Sequence, residues 1–143
     1  MKILYIDGSY FDALDTFSLE KNKRLKTFVM VNGSIKGQGN NIERNMKISI
    51  QINPPASLER IILDTNFRAL TLDTHFLEMN KRSEIFVSKE AYQYGMNDHG
   101  LVSRYQNVHV VADNDLKKYY PEEISEEDSY DIFHDGSYEI IGG

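Results

Sequence analysis

The chain has no cysteine among its 143 residues. That excludes a disulfide framework, a thiolate zinc site and cysteine-nucleophile chemistry at once, and it fits a reducing compartment. No apolar run approaches the roughly 20 residues that span a bilayer. The start Met1-Lys2-Ile3-Leu4-Tyr5-Ile6-Asp7 reaches an acid too early for the apolar core of a signal peptide. These absences predict a soluble cytoplasmic protein that does not engage membranes. With only three prolines and 27% charged residues, the composition is that of an ordinary folded domain.

Positive charge is scarce where the chain ends. Residues 112–143 hold two Lys/Arg against ten Asp/Glu, whereas residues 1–55 hold eight against five. A mildly basic body therefore carries a strongly acidic end, and each has its own class of partner. The net charge of −6 disfavours duplex DNA, whose binding rests on phosphate neutralisation. Tyr130, Ile132, Phe133, Tyr138, Ile140 and Ile141 interrupt the acids, so this end is expected to pack on its own sheet or on a partner. The expected division is one globular domain over 1–115 and an acidic, aromatic-bearing extension over 116–143.

Hydrophobic patterning predicts short strands over residues 2–7, 25–32, 46–52, 84–88 and 107–112, the clearest being the alternation of Met46, Ile48, Ile50 and Ile52 with Lys47, Ser49 and Gln51. The spacing of apolar residues over 10–22 predicts a short helix. Residues 61–65 and 70–74 look alike and suggest a hairpin, and residues 89–95 a helical turn. Short polar connections between strands favour an α+β fold: a mostly antiparallel sheet or small β-barrel with one or two short helices, open to an OB-like body.

Four groups of residues invite chemistry. Asp7, Asp64 and Asp73 close apolar runs and can converge on Mg²⁺ or Mn²⁺ for phosphoester hydrolysis, or simply cap turns. His99, beside Asp98 in a loop, is the best single general base, yet the four histidines lack zinc spacing and no metal or cofactor is implied. Gly33, Ser34, Lys36, Gly37, Gly39, Asn40, Asn41 and Arg44 can wrap an anionic ligand, because glycines let backbone N–H groups approach it. Lys21, Lys23, Arg24 and Lys26, with Arg44, Lys47, Arg60, Arg68, Lys81 and Arg82, can form one positive face with Tyr92, Tyr94 and Tyr105 as stacking platforms. In the acidic end, Glu126, Glu127, Asp128, Tyr130 and Phe133 are the residues expected to meet a partner.

The reading these features favour is a non-enzymatic binding protein that engages a protein partner or an anionic small molecule. Its size and acidity are those of an inhibitor, an immunity protein or a phage accessory protein, and a homo-oligomer is compatible with it. A single-strand nucleic-acid or nucleotide binder comes second and a metal-dependent phosphoesterase third.

Overall fold

The computed structural model describes residues 2–8, 14–31, 48–64, 70–89, 103–121, 129–132 and 136–139. Among the described residues, ten strands lie in two sheets. They are β1 (Ile3–Gly8), β2 (Leu14–Ser18), β3 (Thr27–Val31), β4 (Ile48–Asn53), β5 (Arg60–Asp64), β6 (Leu70–Thr71), β7 (Glu84–Ser88), β8 (Val108–Val111), β9 (Ser129–Ile132) and β10 (Gly136–Glu139). Helix α1 (Thr74–Met79) precedes β7, and a 3₁₀ helix, η1 (Asp113–Tyr119), follows β8. The first sheet runs β8-β7-β5-β3-β1-β9 and the second β10-β2-β4-β6.

Every ladder among the described residues is parallel. This overturns the antiparallel sheet, the small barrel and with them the OB-like body. The expectation rested on short connections, which a parallel pair within one sheet cannot use. Here consecutive strands β1 to β6 alternate between the sheets, so each strand of the second sheet serves as the crossover for its neighbours in the first. The result is a stack of coils of the parallel solenoid type. Two local expectations fall for the same reason. Residues 14–18 are strand β2, not helix, with Phe17 and Leu19 fully buried. Residues 60–64 and 70–71 are not a hairpin, because β5 and β6 belong to different sheets.

The register fixes the repeat. Ile3, Thr27, Arg60 and Glu84 stand at one level of the first sheet, and the step from Thr27 to Arg60 is longer than the equal steps on either side of it. Leu14, Ser49 and Thr71 mark the corresponding level of the second sheet. The outward connection from Thr27 to Ser49 is twice as long as those from Ile3 to Leu14 and from Arg60 to Thr71. The return from Ser49 to Arg60 is slightly shorter than those from Leu14 to Thr27 and from Thr71 to Glu84. The second coil is thus longer on one edge of the stack and shorter on the other.

Stacked coils bury like residues in ladders. Leu4, Phe28, Ile61 and Ile85 form one inward row, and Ile6, Met30, Leu63 and Val87 the next, all at most 2% exposed. Phe17 of the second sheet meets Phe28 edge to face at 5.5 Å between centroids. This core continues into Ile52 and Leu72, into Phe76 and Leu77 of α1, and into the turn residues Leu19, Leu25 and Leu58. The outer face of the first sheet is apolar too, which explains why β3 and β5 are buried at three consecutive positions. Val29, Ile62 and Phe86 are covered there by Leu116, Tyr119 and Tyr120, on and just beyond η1.

The C-terminal strands return to the far end of the stack. β9 pairs with β1 and β10 with β2, so the last coil lies outside the first. Among the described residues no helix is long and apolar enough to cross a membrane.

Candidate functional site

Of the sequence-predicted site residues, Asp7, Asp64, Asp73 and Tyr130 are among those described. Asp7 and Asp64 stand at one level of the first sheet with Val31 between them, about 10 Å apart at two strand spacings. Asp64 accepts a 2.5 Å bond from the Tyr120 hydroxyl. Asp73 follows the second sheet instead and caps α1: its Oδ1 accepts from Phe76 N at 2.8 Å, and Gln51 Nε2 donates to both carboxylate oxygens. That is the helix-cap role its position after a strand allows. Among the described residues no three His, Cys, Asp or Glu side chains gather as a metal site would need. His99 and the whole set Gly33, Ser34, Lys36, Gly37, Gly39, Asn40, Asn41 and Arg44 lie outside the described residues, as do Glu126, Glu127, Asp128 and Phe133. Tyr130 is placed by its backbone in β9 beside Ile6.

An aromatic cluster lies on the outer face of the first sheet. Phe86 stacks on Tyr119 at 4.2 Å and on His109 at 5.0 Å. The Arg60 guanidinium sits 5.6 Å from the Phe86 ring centre and donates to the Tyr119 carbonyl at 2.8 Å, while His109 bonds Glu84. Burial, then the bond to Asp64, hold the Tyr120 hydroxyl well above the ordinary tyrosine range. These groups are spent on one another, and what they achieve is to fasten η1 to the sheet. Arg60 is thereby withdrawn from the expected positive face.

Among the described residues, Lys21, Lys23, Arg24, Lys26, Lys81 and Arg82 lie on the edge made by the return turns. In three of those turns an N–H donates to the carbonyl three residues earlier: Leu25 to Asn22, Leu58 to Pro55 and Ser83 to Asn80. Val108 to Tyr105 repeats the pattern ahead of β8. Two of the turns share a sequence, Leu19-Glu20-Lys21-Asn22-Lys23-Arg24 and Leu77-Glu78-Met79-Asn80-Lys81-Arg82, identical but for Lys21 and Met79. Their asparagines are 1% exposed and bond back to their own turns: Asn22 Nδ2 donates to the Leu19 carbonyl, and Asn80 Nδ2 to those of Phe76 and Ile52. Burying the asparagine forces the following Lys-Arg pair outward, and both pairs are exposed.

Residues 19–26, 54–59 and 78–83 together carry six Lys/Arg against three Glu, a positive edge on a chain of net −6. Glu59 is met by Lys26 at 3.3 Å, and Glu78 by Lys81 at 3.8 Å. The Tyr105 hydroxyl also donates to Glu78, which raises the tyrosine's pKa, and its ring packs against the core. Between the shorter Pro54-Pro55 turn and the second Lys-Arg turn lies a cleft of about 290 Å³, lined by both prolines, Leu58, Met79, Asn80 and Arg82 among others. Met79 is 43% exposed, one of two large apolar side chains that face outward among the described residues.

The basic stretch was visible in the sequence; its division into two matching turns was not. The signal that exposes it is the repeated hexapeptide, which places Asn22 and Asn80 at equivalent points of two coils. Arg44, Lys47, Arg68, Tyr92 and Tyr94 lie outside the described residues. Comparison with protein-family models, curated proteins and solved structures returns no match, so the site is read from its own geometry.

Proposed function

We propose that the protein is a non-enzymatic binding protein that presents the positive turn edge to an anionic segment of a protein partner. The observation that carries this is the pairing of two Lys-Arg turns, two coils and about 10 Å apart, with a recessed apolar cleft beside the second of them. Rigid strands anchor both turns, so the cations are held at a set spacing before a partner arrives, which lowers the ordering cost of binding. Lys23, Arg24 and Arg82 have no ion pair among the described residues and are available for carboxylates. A single-stranded nucleic acid is served less well: the described floor is Pro, Leu and Met, whereas base stacking calls for aromatics.

The test is affinity capture from source cells with the intact protein and with Lys23→Glu, Arg24→Glu, Lys81→Glu and Arg82→Glu combined. All four side chains are exposed, so circular dichroism and melting should change little. The expected result is an acidic protein retained by the intact chain alone and released as salt rises, mainly through slower association. Equal capture by both proteins would show that the partner binds elsewhere.

A further inference from the structure

We propose that the cleft between the Pro54-Pro55 turn and the residue 80–83 turn seats one apolar side chain of an extended acidic peptide, whose flanking carboxylates meet the Lys-Arg pairs on either side. This rests on the turn edge being the binding face and adds what that face reads. Three observations converge. The floor is apolar, with Pro55 and Leu58 buried beneath the opening and Met79 exposed at its rim. Its volume of about 290 Å³ is at the lower limit for ligand pockets, which suits a single side chain better than a cofactor. Arg82 lines the cleft and Lys81 stands next to it, while Lys23 and Arg24 occupy the same position two coils away, so an anionic chain crossing the coils meets cations before and after the apolar floor.

A fourth observation concerns the wall. Asn80 Oδ1 is buried without a donor among the described residues, while its Nδ2 donates twice. Asn80 is 1% exposed, so this acceptor belongs to the interior of the wall, and the peptide is read by the apolar floor and the cations alone. The cleft's asymmetry sets a polarity as well, because Met79 stands where the matching turn has Lys21. The apolar residue therefore belongs on the Met79 side, and carboxylates on the far side face Lys23 and Arg24.

The experiment uses the full chain and labelled nine-residue peptides with Glu at every position but the fifth, which is Leu, Phe, Met or Gly. Fluorescence anisotropy at low salt should show the best apolar peptide binding at least about tenfold tighter than the Gly peptide, a ratio in keeping with burial of one side chain. Met79→Asp should remove that preference and leave the weaker charge-driven binding, with an unchanged circular dichroism spectrum as the control for folding. Arg82→Glu with Lys81→Glu should weaken all four peptides. Equal affinity for the Gly and apolar peptides would overturn the seat while leaving the basic edge standing. Binding of oligothymidylate in place of any peptide would overturn the peptide class, and no binding of either polyanion would overturn the edge itself.

Discussion

Asn80 shows how one side chain sets both the fold and the face it presents. Its amide donates to carbonyls of its own helix and of β4, and its backbone carbonyl accepts from Asn107 Nδ2 at 3.2 Å, so three successive coils are tied at one residue. Asn80→Ala should cost about 1–3 kcal/mol by leaving buried carbonyls short of a donor. Asn80→Asp should cost more, since a carboxylate oxygen would then face those carbonyls; urea unfolding of the two variants checks the order. At Tyr120 the prediction concerns pH. Its folded pKa is raised above the ordinary value of 10.0 by burial and by Asp64. The folded state therefore holds the proton more tightly than the unfolded chain. Stability from this group is complete below pH 10 and is lost as pH rises beyond it. Urea midpoints between pH 8 and pH 11 should fall less steeply in Tyr120→Phe than in the parent.

At the scale of elements, strand positions were legible and strand partners were not. The apolar runs at 2–7, 25–32, 84–88 and 107–112 all correspond to strands, as does 46–52 through β4, where Ile52 is buried and Gln51 half-buried. Side-chain alternation reports that a strand has a buried face but is silent on which neighbour it joins. The error over 10–22 has the same origin. Phe17 and Leu19 alternate inward from β2, but the surrounding apolar residues disguise a short strand as a helical stripe. The coil period can also be tested by surgery. Between equivalent register positions, the connection from β3 to β4 is twice the length of its counterparts in the flanking coils, so excising the segment 34–44 restores a length already sufficient on both sides. This deletion should leave the circular dichroism spectrum unchanged and the melting temperature within a few degrees, because loop length enters stability only logarithmically. Loss of folding would mean that the surplus segment carries structure the coil depends on.

For the whole molecule the decisive feature is how the stack is closed at its β1 end. A coil stack leaves raw edges wherever no further strand pairs, and exposed parallel edges invite association with other chains. Here the chain passes from β8 across the outer face of the first sheet, is held there by Leu116, Tyr119 and Tyr120, and adds β9 and β10 beyond β1 and β2. Eight acids and no Lys or Arg occur over residues 122–139, so this end opposes approach by a like-charged copy. The apolar residues among the acids announce that this end packs on a surface but not on which strand: pairing β9 with β1 joins Tyr130 to Ile6, from opposite ends of the chain. Removing residues 122–143 would uncover the β1 and β2 edges while leaving the inner rows of β3, β5 and β7 in place. The truncated chain should therefore keep most of its strand signal, melt at a lower temperature, bind a hydrophobic dye and associate at concentrations where the full chain stays monodisperse; light scattering and thermal melts read these outcomes directly. Binding of acidic peptides at the turn edge, which this deletion does not touch, should persist wherever the truncated chain is folded. A truncated chain with unchanged melting and no association would show that the two C-terminal strands do not protect the edges they pair with.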